Sequence, residues 1–295
     1  MILVTGGTGN LGTEVVRRLR ARQLAVRVLT RAPERARHLA GEGVEIVVGD
    51  ARDGRSVVRA MGGVRTVVSA MHGFAGVDAA GVKAVDREGN ANLIRAARAS
   101  GAEHFVLLSI LGAGPSHPME LFRAKHAAEL ELKQSGLAWT IVRPTAYMET
   151  WLMVMGDPLQ RGGKIPVFGR GENPINFVSV RDVAAFVERA VLDSSLRGRA
   201  LDVGGPENLT FNELARRIER AAGRPNVTRH VPRAVMRVAS TLLAAVKPPL
   251  AGQIRGGVVM DTADMSYDAS SRLREFPSIP LTSLDQIIAG KIRPA

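Results

Sequence analysis

Short apolar runs alternate along the first half of the chain with longer stretches in which apolar residues recur every three or four positions. The runs are Ile2 to Thr5, Ala25 to Leu29, Val44 to Val48, Thr66 to Ser69, His104 to Ser109 and Trp139 to Val142. Each is rich in Val, Ile or Leu with little polar alternation, the pattern of strands covered on both faces. Between them, Leu11 to Arg22, Arg52 to Met61, Val82 to Ser100 and Met119 to Gln134 have helical length. This predicts an α/β class fold, a doubly wound parallel sheet, over residues 1–150.

After Pro144 the rhythm breaks, and glycine and proline cluster from Gly156 to Pro174. Phe177 to Val180, Asp182 to Leu192 and Ala200 to Val203 then read as strand, helix and strand, so residues 176–204 are expected to return to the first domain. Residues 151–175 and 205–295 are expected to form a smaller α+β region that binds substrate, with helices at Phe211 to Ala222 and Pro232 to Val246. Val231 to Met265 offers apolar helical surface to close a pocket, although Met236, Met260 and Met265 serve equally as core filler.

Composition narrows the chemistry. With no cysteine, a thiolate nucleophile, a disulfide or a Cys-ligated zinc is excluded. The net charge of +12 invites a nucleic-acid reading, but only 6 of the 40 basic residues are lysine and the arginines are spread over every segment. A compositional bias toward arginine explains this more simply. The first strand begins at the N-terminus with no room for a secretory signal, and no apolar run approaches the ~18 residues of a membrane span. The expectation is a cytoplasmic monomer or homodimer with a small-molecule substrate, no nucleic acid, no membrane and no metal.

Thr5-Gly-Gly-Thr-Gly-Asn-Leu-Gly12 follows the first strand and opens the first helix, with Gly6, Gly9 and Gly12 spaced G-x-x-G-x-x-G. This is the context in which a glycine loop turns tightly, lets a pyrophosphate approach the backbone and presents a helix N-terminus to it. The second strand ends in Arg31, with Arg35 a turn later, where an NAD site would place a carboxylate for the ribose hydroxyl. Guanidinium groups match a 2′-phosphate instead, which favours NADP(H). At the third strand end, Asp50 is placed to accept from the adenine amino group or to cap a helix.

These pieces, with VDREGNANLIRAARASGAEHFVLLSILGAG, Lys125 with Glu129, WTIVRPTAYMET, INFVSVRDVAAFV and ALDVGGPENLTFNEL, resemble the NmrA-like, atypical short-chain dehydrogenase group of Rossmann-fold proteins, which includes isoflavone-reductase-like and quinone-reductase-like enzymes. The resemblance covers residues 1 to about 214. It implies dinucleotide contacts at Gly6, Thr8, Gly9, Asn10, Leu11, Gly12, Arg31, Asp50, Ala51, Ser69, Ala70 and Met71. It implies also that Lys125 binds the nicotinamide ribose and that Pro144, Ala146 and Tyr147 lie beside the nicotinamide. The larger superfamily's Y-x-x-x-K is L-x-x-x-K here, because Leu121 precedes Lys125 by four positions.

Lys125 projects with Leu121, Ala128 and Leu132 on a helical wheel, and a lysine on an apolar face must find a partner. The partner is either the cofactor or Glu129, one turn on. Hydride transfer to a carbonyl or conjugated C=C builds negative charge on oxygen, so Lys125, Tyr147 and Ser109 are the candidate catalytic groups, with His72, His117 and His126 behind them. The expected function is NADPH-dependent reduction of a small enone, quinone or carbonyl compound. The alternative is a non-catalytic NADP(H) redox sensor that signals through a protein partner.

Overall fold

Every residue of Ile2–Thr5 (β1) is buried, so both faces of this strand are covered, as its unbroken apolar run requires. In the computed structural model, which describes residues 1–40, 43–73, 81–225 and 227–292, β1 lies inside a seven-stranded sheet. The strands are β1, Val26–Thr30 (β2), Glu45–Val48 (β3), Thr66–Ser69 (β4), His104–Leu108 (β5), Ala138–Pro144 (β6) and Arg199–Val203, and the order across the sheet is Arg199–Val203, β6, β5, β4, β1, β2, β3. Strands β1 to β6 pair in parallel. The order reverses between β1 and β4, and a doubly wound sheet opens a ligand crevice at the C-terminal ends of such strands.

The connecting helices are Asn10–Ala21 (α1), Arg37–Ala40 (α2), Gly54–Ala60 (α3), Asn90–Ala99 (α4) and Glu120–Gln134 (α5). Helix α1 buries Leu11, Val15, Val16 and Leu19, a stripe at helical spacing. Helix α4 does not begin as a plain helix at Val82. It is preceded by a π-wound stretch, Lys83–Gly89, which buries Asp86 and Gly89.

The chain divides into two compact units, Met1–Pro144 with Val183–Asp202, and Thr145–Asp182 with Val203–Ala295. The second unit contains Ala146–Tyr147 (β7), Met148–Gln160 (α6), Ile165–Phe168 (β8) and Ile175–Val178 (β9), after which Val180–Leu192 (α7) carries the chain back to the first. Counting Arg199–Val203 as β10, the unit resumes with Asn208–Leu209 (β11), Phe211–Ala222 (α8) and Thr228–Val231 (β12). Four helices end it, Arg233–Leu243 (α9), Pro248–Met260 (α10), Ser270–Glu275 (α11) and Leu284–Lys291 (α12). Its core packs Trp151 against Phe211 at 4.7 Å between ring centroids, with Phe177, Leu214, Ile218 and Leu284 beside them.

Two sequence expectations change here. The run at Phe177 does not join the large sheet: β9 pairs in parallel with β7 and antiparallel with β11. The cause is visible in Asn176, buried in mid-strand, whose amide oxygen accepts from Gly205 N (2.7 Å) and Thr145 Oγ1 (2.9 Å) while its nitrogen donates to Asn208 Oδ1 (2.9 Å). Those partners all belong to the second unit. The helix expected from Pro232 to Val246 ends at Leu243, and a second one starts at Pro248. Proline excludes the helical conformation from the residue before it, and Lys247 leaves the helical region with φ −138° and ψ 67°.

Candidate functional site

Three glycines shape the β1–α1 turn, each for a different reason. Gly6 adopts φ +76°, and a Cβ there would stand 2.5 Å from the Ala70 carbonyl oxygen at the end of β4. A Cβ on Gly12 would stand 2.1 Å from the Gly6 oxygen, so this glycine lets α1 close onto the turn. Gly9 is exposed, and its added Cβ would meet only the Gly6 oxygen at 3.4 Å, which leaves the approach to the helix end open. No side chain caps α1 and no acid sits in its first turn. Its first amide groups and positive dipole end therefore suit an anion. Half-buried Thr8, exposed Asn10 and buried Leu11 complete the turn, and Thr13 Oγ1 secures it by donating to the Gly7 carbonyl at 3.2 Å.

At the end of β2, Arg31 and Arg35 are exposed. Asp50, past the end of β3, accepts from Arg52 through the backbone N–H (2.9 Å), Nε (2.9 Å) and Nη2 (2.6 Å). Burial pushes the Asp50 carboxyl up, but the hydrogen bonds and charge of Arg52, helped by the charge of Arg31, outweigh it and hold it below the usual carboxylate range. Asp50 is not the cap of α3. That role belongs to Asp53, which accepts from Arg55 N and Ser56 N. From α4, Asn92 Nδ2 donates to the carbonyls of Ala51 and Arg52, both at 3.0 Å, fixing the turn at buried Ala51.

The end of β4 is held by groups that no sequence spacing announced. Ser69 Oγ donates to Asn90 Oδ1 at 2.6 Å, and Gly73 N donates to Asp86 Oδ2 at 2.7 Å. Lys125 is buried beside them. Its Nζ donates to the Met71 carbonyl (2.8 Å) and the Leu108 carbonyl (2.9 Å) and lies 2.9 Å from Asp86 Oδ1. Only 4% of the Lys125 side chain and none of Asp86 is exposed. The ammonium thus ties the ends of β4 and β5 to the π-wound stretch. The i, i+4 pair with Glu129 is absent: Glu129 instead takes Arg143 through Nε (2.8 Å) and Nη2 (2.5 Å), the fork-to-carboxylate geometry arginine favours. Burial raises the Glu129 carboxyl, but the hydrogen bonds and charge of Arg143, with the charge of Lys133, prevail and lower it.

Ser109 is buried after β5, with its N–H on the Val142 carbonyl at 2.8 Å. His72 lies exposed past the end of β4. His117 stacks on Phe122 at 3.8 Å and accepts from Met119 N, a packing role. Pro144, buried at the end of β6, accepts from Leu111 N at 2.9 Å.

Ala146 and Tyr147 belong to the second unit, where they pair with Phe177 and Val178. Burial and then the Glu149 carboxylate push Tyr147 well above the usual phenol range. The phenol keeps its proton, and with it a hydrogen-bond donor. Glu149 itself is buried, accepting from Ser179 Oγ (2.7 Å) and Val180 N (3.0 Å). Among the described residues, no group of His, Asp or Glu stands close enough to hold a metal ion.

A loop that closes only with glycine, an uncapped helix end and a strand order that reverses beside it are what a dinucleotide needs, and residues 6–194 match a family model described as NAD(P)H-binding. The chain belongs to this NAD(P)H-binding family. Several curated relatives accompany the match. An NAD(P)H azoreductase of Xenophilus azovorans is 34% identical over 76% of this chain and 75% of its own. A (4-alkanoyl-5-oxo-2,5-dihydrofuran-3-yl)methyl phosphate reductase of Streptomyces griseus is 34% identical over 85% of this chain and 83% of its own. The photosystem II assembly factor Ycf39 of Synechocystis is 32% identical over 80% and 72%. Among solved structures, the NADPH complex of the Escherichia coli quinone oxidoreductase QOR2 superposes with a TM-score of 0.78 at 22% identity, covering 98% of this chain and 99% of that one, a likeness of fold. Family and fold agree with the resemblance to NmrA-like proteins drawn from the motifs.

Proposed function

We propose that the protein is an NADPH-dependent reductase of a small conjugated carbonyl compound, an enone or quinone. The observation that carries the reading is the open, uncapped end of α1 beside Gly6, Gly9 and Gly12, with cationic Arg31 rather than a carboxylate closing β2. In this reading Asn10 and Leu11 offer amides to the pyrophosphate, Gly9 leaves its approach open, and Arg31, with Arg35, takes the 2′-phosphate. Ala51, Ser69, Ala70 and Met71 border the crevice at the strand ends. NADPH, when bound, supplies a hydride. The substrate oxygen then gains negative charge, and an O–H donor that stays protonated stabilises it. Tyr147 has that property, and Ser109 is the second candidate.

For Lys125 we infer a structural part beside the ribose contact that its motif implies. Its Nζ donates to the Met71 and Leu108 carbonyls and pairs in charge with Asp86, so it is proposed as a positioning residue for the strand ends. The Streptomyces relative favours a conjugated substrate, since its named compound is an unsaturated lactone with an acyl group on the ring. The test is steady-state NADPH oxidation with quinones, enones and azo compounds as acceptors. Turnover of a conjugated carbonyl is the expected result, and tight NADPH binding without turnover of any acceptor would overturn the reading.

A second reading, a redox sensor, is favoured by the same Lys125, which is held by two backbone carbonyls and the Asp86 charge, and by the assembly-factor relative. It predicts unequal affinity for NADP+ and NADPH and a protein partner whose binding follows their ratio.

A further inference from the structure

The hairpin of α9 and α10 leaves apolar side chains in solvent. Val235, Val238, Leu242 and Val246 are 55%, 60%, 71% and 75% exposed. They fall at i, i+3, i+7 and i+11, one stripe along the helix and its continuation, while Met236 and Ser240 occupy the buried side. Leu250, 41% exposed, extends the stripe onto α10. Single exposed apolar residues are ordinary, but a continuous stripe marks a contact surface.

Charge identifies what the stripe meets. From Arg220 to Met260 the chain carries 7 arginines and lysines and no aspartate or glutamate. Lys247, which directly follows Val246, is exposed, as are Arg237 on α9 and Arg255 on α10. The next acid, Asp261, is buried: it accepts from Arg170 N (2.9 Å) and Gly171 N (3.0 Å) and pairs with Arg233 Nε (3.1 Å). An acidic protein surface would bring carboxylates against valine and leucine, and the stripe lacks the aromatic anchors typical of protein interfaces. An apolar helical face in a cationic stretch free of acids is instead the pattern of a helix that lies in a lipid interface, where the stems of Lys and Arg extend toward headgroup phosphates.

We propose that the α9–α10 hairpin docks the protein on an anionic lipid surface, with Val238, Leu242 and Val246 beneath the headgroups, Lys247 at the phosphates and the acid-free, cationic stretch around them supplying the longer-range attraction. This is peripheral binding, distinct from a span: no helix among the described residues is long and apolar enough to cross a membrane. The inference is independent of the reductase reading.

The test is co-sedimentation of the full chain with phosphatidylglycerol-containing and with pure phosphatidylcholine vesicles. Binding to the anionic vesicles alone, weakening as salt is raised, is expected. Because the protein is strongly basic, a variant that keeps every charge decides the matter: Val238→Ser, Leu242→Ser and Val246→Ser together are expected to weaken vesicle binding at least about tenfold. The chain has no cysteine, so Val246→Cys carries a polarity-sensitive dye at a single position. A blue shift there on anionic vesicles, with none from a dye at Arg59→Cys in the first unit, is expected. Absence of vesicle binding, equal binding by the serine variant, or a silent dye at residue 246 would each overturn the proposal.

Discussion

Lys125 shows how a single buried charge decides the character of a site. A lysine on an apolar helix face states a need for a partner but not which one. Asp86 lies 39 residues earlier, in a stretch whose π winding no spacing rule announces, so the sequence made the need legible and hid its answer. The pair implies a stability effect. Lys125→Met leaves Asp86 buried with no cation, and removing one member of a buried ion pair costs about 3–5 kcal/mol. Urea denaturation should show that loss, and Lys125→Met combined with Asp86→Leu should recover part of it. Unchanged stability in Lys125→Met would mean that the ammonium serves a ligand and not the fold. The glycine loop was legible at the same scale because its constraint is local: three missing Cβ atoms, each with a backbone oxygen beside it.

Among the elements, the parallel strands were readable because burial on both faces leaves an unbroken apolar run. Which sheet such a run joins is a long-range matter, and β9, with buried Asn176 answered only in the second unit, illustrates it. Strand β5 carries a pH effect. His104 is buried against Thr140, Nε2 to Oγ1 3.0 Å, and burial, then the Arg197 charge, lowers its pKa from 6.5 to about 4. The unfolded chain therefore binds a proton below pH 6.5 that the folded chain refuses until about pH 4. Stability should be full above pH 6.5, fall as pH drops toward about 4, and lose no more from this group below that. Over that window the loss is on the order of 2–3 kcal/mol, and His104→Gln should flatten the slope in urea melts at successive pH values. A parallel slope in His104→Gln would assign the pH dependence elsewhere.

Across the whole molecule, the sequence disclosed one unit far better than the other. The first follows a repeating strand-helix rule, and the family model, matched over residues 6–194, spans most of it together with Thr145–Asp182 of the second. The second builds two small sheets and four closing helices from contacts with no period, and its most telling property, the exposed stripe on α9, becomes visible only when helix and neighbour are seen together. The family accounts for the dinucleotide, while the choice between catalysis and sensing depends on chemistry at Ser109, Lys125 and Tyr147. The central claim joins the reaction to the nucleotide that drives it. The measurement that tests both is kcat/KM for NADPH and for NADH with one conjugated enone acceptor, in the natural protein and in Arg31→Ala. The account predicts turnover with NADPH preferred by at least about tenfold, from a charge-assisted contact worth about 1.5–3 kcal/mol, and loss of that preference in Arg31→Ala with the NADH rate unchanged. Equal use of the two nucleotides, a preference that survives Arg31→Ala, or no turnover with either would contradict it.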